Sequence, residues 1–225
     1  MKEPLNYLLW NRSGVGKNIL HLLDEREAML WKLALPYQDK RGDTGHAEVV
    51  TYFALQLLEH VSADRAVVVP AAILHDIGWS SVAREKLALF KPGIPSVWAQ
   101  WQAIDAEMRI FHQNESVRIG SELLTQAGYI DQKHILDIVR QHDTRKGFLS
   151  VEDGVMRDAD KLWRYTGIHV ESYKLDAAVW YGISLKNIAK PDFLSSAVSR
   201  QTARAELENA VIWLNRTHPS DGRSN

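Results

Sequence analysis

An all-α, single-domain helical bundle is the fold this sequence predicts, and three observations carry the prediction. Apolar residues recur three and four positions apart over most of the chain. No alternation of apolar and polar residues runs beyond four positions, so no strand competes. Clusters of Pro, Gly and charge break the helical rhythm at intervals, while no repeat, low-complexity block or linker divides the 225 residues.

In chain order, "NRSGVGKN" (11–18) imitates a phosphate-binding loop, but Asn11 and Asn18 stand where Gly and Ser or Thr are needed. No strand precedes it, so it reads as a flexible approach to the first helix. "NILHLLDEREAMLWKL" (18–33) has helical spacing, and "LPYQDKRGDTG" (35–45) ends it. The pattern resumes from Gly45 through Val61. A further helix ends near Gly78, with Pro70 either inside it or opening its last turns. Residues 80–90 predict a short helix, and "KPGIP" (91–95) is a break. Residues 96–129 form one long helix or two abutting ones, stopped by Gly128 as a C-terminal cap. Asp131 is placed to cap the next helix, which runs to about His142. The spacing predicts further helices over 155–166, 171–187 and 193–215, with "THPSDGRSN" as a frayed tail.

Composition narrows the function. Hydrophobic residues at 45% and charged residues at 24% are ordinary for a soluble globular protein. A formal net charge of −1 argues against nucleic acid as the main partner, since no basic excess neutralises phosphates. The chain has no cysteine, which excludes disulfides, thiolate metal sites and cysteine nucleophiles. The N-terminal stretch has no long apolar core, and no run of about 18 apolar residues occurs. A cytoplasmic protein without a membrane partner is therefore expected.

Against that background, "VVVPAAILHDIGW" (67–79) stands out, because it sets His75 and Asp76 in an otherwise apolar run. An ionised carboxylate is not buried without a partner or a metal. Other histidines share apolar helix faces: His46 with Val50, Phe53 and Leu57, His112 with Ile119 and Leu123, His142 with Ile135, Ile138 and Val139. One such histidine is usually an ordinary core residue. Three, with an inward His-Asp pair, form a ligand set for Zn, Mn or Fe. His21, His60, His134, His169 and His218 sit on mixed faces or in the tail and are set aside. "VMRDADKLWRY" (155–165) adds Asp158 and Asp160, of which helical spacing turns either one inward but hardly both.

The string "AAILHDIGW", preceded by His46 and followed by "DADKL", resembles the HD superfamily of metal-dependent phosphohydrolases over about residues 40–166. The resemblance implies an all-helical fold in which His46, His75, Asp76 and Asp160 hold one divalent metal. It favours Asp160 because the family's late acid follows Ala and precedes a basic residue and Leu, leaving Asp158 to orient a ligand. "FHQNES" and "VRQHD" are similar to positions that supply a second metal or bind the leaving phosphate, which brings in His112 and His142. The expected cofactor is Mn, Fe, Ni, Co or Zn, with one ion or two, and Mg as a further candidate.

The activity implied is hydrolysis of a nucleotide or other small phosphate ester by a metal-activated water. Asp76 would orient that water, and Arg145 and Lys146 are the nearest sequence candidates to stabilise the developing charge. Trp98 and Trp101 are candidates for a substrate-facing wall. One rival is a di-iron oxygenase acting on a polyol or hydroxy-phosphonate, since relatives of that kind use four His and two Asp. Another is a non-catalytic ligand sensor, which has no need of every ligand position. A second copy of the chain is a candidate partner.

Overall fold

The computed structural model describes residues 19–88 and 98–217. The elements are helical throughout the described residues, as the periodicity predicts, and no strand occurs among them. A 3-10 turn at Leu20–Leu22 precedes α1, Glu25–Ala34. The sequence pattern runs straight through this boundary. Asp24 nevertheless starts a new helix there, its carboxylate accepting from Glu27 N at 2.8 Å while Glu27 reaches back to Asp24 N at 2.9 Å.

The next two helices form the centre. α2, His46–Leu58, starts after Gly45, whose φ of 88° favours glycine. α3, Arg65–Leu74, carries Pro70 in its interior and buries every residue from Val68 to Leu74. A helix buried on all sides is a central one. It stops four residues before Gly78, at His75 and Asp76, and a 3-10 turn at Ile77–Ser81 follows. The short α4 spans Arg84–Ala88.

The long pattern from residue 96 is one unbroken helix, α5, Trp98–Gln126. Gly128, at φ 79°, ends it as predicted, with Tyr129 N donating to the Leu124 carbonyl at 2.9 Å and Gly128 N to Thr125 at 3.1 Å. α6, Lys133–Val139, has Gln132 rather than Asp131 at its N-cap, although the Asp131 carboxylate accepts from Lys133 N at 3.4 Å. His142 lies beyond this helix, in the turn after it. α7, Val151–Leu162, begins at Ser150 and passes into a 3-10 turn at Trp163–Tyr165.

The pattern over 171–187 resolves into two helices, α8 at Gly167–Tyr173 and α9 at Ala177–Ala189. Lys174 adopts a left-handed conformation between them, φ 51°, and Asp176 caps the second. α10, Ala197–Thr217, closes the described chain and packs on α7, α8 and α9. Among the described residues, no helix is long and apolar enough to cross a membrane.

α2 packs on both α3 and α7, and α3 also meets α6 and α7. Trp31, Phe53, Leu74, Ile135 and Tyr165 are fully buried among them. The turn at 77–81 lies against α5 so closely that a β-carbon on Gly78 would stand 1.9 Å from the His112 carbonyl oxygen. Only glycine fits there. Gly78 N donates to Ser116 Oγ and Ser116 Oγ donates to the His75 carbonyl, each at 2.8 Å. The ends of α2, α3 and α6 thus meet the middle of α5 and the last turn of α7.

Candidate metal centre

The candidate side chains arrive from five helices, most of them at a helix boundary. His46 opens α2, where Asp39 holds the helix start by accepting from Gly45 N at 2.8 Å and Ala47 N at 3.1 Å. His75 and Asp76 end α3. His112 comes from α5, His142 from the turn after α6, and Asp160 from α7.

Three of the rings are aimed by the backbone. Nδ1 of His75, His112 and His142 lies 2.8, 3.1 and 2.9 Å from the carbonyls of Ala72, Met108 and Val139. A carbonyl only accepts, so each ring keeps a proton on Nδ1 and turns Nε2 toward the cluster. His46 Nδ1 is buried with no hydrogen-bond partner among the described residues, and Nε2 makes that ring's polar contacts there.

Asp76 divides its carboxylate between two groups. Oδ2 lies 3.3 Å from His46 Nε2 and 3.5 Å from His75 Nε2, while Oδ1 lies 3.3 Å from both His112 Nε2 and His142 Nε2. Asp160 Oδ1 completes the first group at 3.4 Å from His46 and 3.6 Å from His75. The paired imidazole nitrogens stand 3.1 Å apart in one group and 3.4 Å in the other. With metal–ligand bonds of about 2.0–2.2 Å, donors around one ion lie roughly 3 to 3.5 Å apart. The donor set therefore fits two divalent transition metals with Asp76 between them. It is a set of imidazole and carboxylate alone, suited to Mn, Fe, Co, Ni or Zn.

The electrostatics agree. Burial alone would raise the carboxyls of Asp76 and Asp160. Arg41 and His75 beside Asp76, and the hydrogen bonds of His46 and His75 to Asp160, hold both well below the usual carboxylate range. Burial works against a charged His46, but bonds to Asp160 and Asp76 raise it to about 10. His142 is raised to about 9 against burial by Asp76 and Asp143. In His112 burial prevails and the pKa falls.

All six residues singled out as ligands thus converge, and the α7 acids separate. Asp160 faces the cluster. Asp158, fully buried, accepts from Ser195 N at 2.9 Å and Ser195 Oγ at 2.6 Å, so it anchors the segment before α10 and does not orient a ligand. Arg145 and Lys146 do not line the site. Arg145 Nη2 donates to the Asp137 carbonyl at 2.9 Å, and Lys146 is exposed. The turn that aims His142 inward carries its next residues outward, where Arg157 binds the Arg145 and Gly147 carbonyls. The side chains of Trp98 and Trp101, and all of His218, lie outside the described residues.

Other residues supply what those two lack. Arg41 Nη2 sits 2.5 Å from Asp76 Oδ2 and 2.9 Å from Asp43 Oδ2, with its guanidinium 4.9 Å over the Trp79 ring. Arg109 pairs with Asp143 at 3.0 Å, and Asp143 lies 3.6 Å from His112 Nε2. The sequence holds a signal for Asp143, because His142-Asp143 repeats the His75-Asp76 pair. Both arginines line a cavity of about 420 Å³ whose inner wall also includes His46, Asp76, Asp143 and Asp160. Its outer wall comes from α8, α9 and the turn after α7, including His169, one of the histidines set aside on sequence.

Comparison with known proteins agrees with this arrangement. The HD domain family model matches residues 44–164, more than half of the chain, and spans all six converging residues. No curated protein and no solved structure matches. With its His-Asp pair at the end of a buried helix and a late Asp facing it, the chain belongs to the HD domain family.

Proposed function

We propose that the protein is a metal-dependent phosphohydrolase that cleaves a small phosphate ester. The observation that carries this reading is the divided Asp76 carboxylate, which joins two histidine pairs beside an arginine-bearing cavity. His46, His75 and Asp160 would hold one metal and His112 and His142 another, with Asp76 shared. When bound, such ions lower the pKa of water and polarise a phosphoryl oxygen.

The chain's own groups do the rest. Arg41 and Arg109 are positioned by Asp43 and Asp143 to meet the negative charge of a phosphate ester. Asp76, kept ionised, is an acceptor that orients a proton on the attacking side. Trp79 stacks on His112 with ring centres 4.2 Å apart and donates from Nε1 to Asp76 at 3.0 Å, so it fixes both.

The test is release of phosphate from a panel of nucleotides and sugar phosphates with Mn or Mg, in air and under strict anaerobiosis. Release that is equal with and without oxygen supports hydrolysis. One observation favours a second reading, the di-iron oxygenase: the four histidines and two aspartates all converge, which is the number such a centre needs. No release from any ester, with a bound iron pair whose spectrum responds to a polyol or hydroxy-phosphonate, would replace the first reading by the second.

A further inference from the structure

The cavity is larger than a phosphate group needs, and its excess lies against α8 and α9. A chain of rings leads outward from the metal ligands. The His46 and Trp163 centres are 5.2 Å apart, Trp163 and His169 5.9 Å, and His169 and Tyr173 5.1 Å. Trp180, Leu175, Val179 and Ile183 continue this wall. Val179 and Ile183 are half-exposed at 61% and 54%, an arrangement a folded chain does not need for its own core.

Charge is distributed unevenly along the same cavity. Arg41 and Arg109 stand at the metal end, whereas Asp176 stands at the outer end, its carboxylate capping α9 by accepting from Val179 N at 2.9 Å. Arg164, from the turn after α7, also lines the cavity, so its outer part combines one cation and one carboxylate with apolar side chains. The ring wall also carries polar groups, among them His169, whose buried Nδ1 has no hydrogen-bond partner among the described residues. Burial, with Arg164, His46 and Arg41 nearby, lowers its pKa to about 3, so it is a neutral imidazole with hydrogen-bonding capacity to spare.

We propose that the outer half of the cavity is a leaving-group pocket, which selects phosphomonoesters of a ring-bearing apolar alcohol over those of small alkyl alcohols. This rests on the hydrolase reading for the word leaving group, but the selectivity is measurable without turnover. His169 would bind the one polar substituent of such a ring. Ser184 and Asn187 add two small polar side chains to the lining.

The experiment compares phenylphosphonate with methylphosphonate, neither of which is hydrolysed, in calorimetric titrations of Mn-loaded protein. Burying a ring against this wall should make phenylphosphonate bind at least about tenfold tighter. Ile183→Glu, at a half-exposed site, should cut that ratio to below about threefold. Leu185→Glu, on the same helix but outside the cavity lining, should leave it intact. Equal affinity for the two phosphonates, or a ratio unmoved by Ile183→Glu, overturns the pocket. A parallel phosphate-release assay separates the two readings. Ring-selective binding without release from any ester would retain the pocket and sink the hydrolase, whereas release without ring preference would do the reverse.

Discussion

The two halves of the candidate centre have the same inventory, two imidazoles and a share of Asp76, yet differ in what surrounds them. The His46–His75 half has Asp160, whose carboxylate pairs, among the described residues, with those two rings. The His112–His142 half has Asp143, but Arg109 engages that carboxylate at 3.0 Å. The imidazoles do not divide the same way: His46 is raised to about 10 and His142 to about 9, while His112 is lowered. A free carboxylate attracts a cation more strongly than one already paired, so the first half should hold its metal more tightly.

The largest expected effect breaks both halves together. Asp76→Ala should remove metal from each and reduce activity by more than about 100-fold, beyond the loss that outer partners of a ligand typically cause. Elemental analysis with a phosphate-release assay checks this, and a variant that retains two metals contradicts the sharing of Asp76. Asp160→Asn should next empty the first half while Asp143→Asn leaves it filled, with activity falling about 10-fold or less in the latter. Metal stoichiometry after limited dialysis ranks the two halves directly.

Proton release sharpens the same contrast. His46 and His142 hold protons up to about 10 and 9, and a metal must displace both. Metal affinity should therefore climb from pH 6 to about 9, measured by titration with proton-release calorimetry. Stability of the metal-free protein runs the other way. These raised values stabilise it fully below about 6.5, where the unfolded residues titrate, and the contribution fades as pH rises through 9 to 10. Chelated protein that gains stability over that range would contradict the assignment.

Asp158→Ala should leave metal content unchanged and cost about 1–3 kcal/mol, because it strands the Ser195 groups. In a chain of this size each kcal/mol lowers Tm by about 2–4 °C, which thermal unfolding resolves. Smallest of all, Lys146→Ala should stay within about 0.5 kcal/mol in stability and leave activity unaltered.

The sequence speaks clearly for one part of the site and hardly at all for the other. His46, His112 and the His75-Asp76 pair are legible because a ligand buried among apolar neighbours breaks a pattern. The choice of Asp160 over Asp158 came from family resemblance, and in the structure Asp160 faces the histidines while Asp158 turns toward Ser195. Arg41 escapes notice because it lies in a Gly-containing loop, where no periodicity tells which way a side chain points. His169 looks unremarkable on its mixed face. Its place in the cavity depends on Lys174 turning the chain left-handed between α8 and α9, a break that the helical spacing over 171–187 conceals. Arg145 shows the converse, since nearness to His142 in sequence did not survive the turn between them.

Gly78 adds a mechanical side to this chemistry. Its main chain rests directly on that of His112, and the Ser116 hydroxyl ties it to the His75 carbonyl. The gauge between the two histidine pairs is therefore set by backbone lying on backbone, with no compressible side chain between. A single methyl group at position 78, touching no ligand atom, would act as a shim and push His112 away from Asp76. The protein has made the span of its metal centre depend on a residue with no side chain at all.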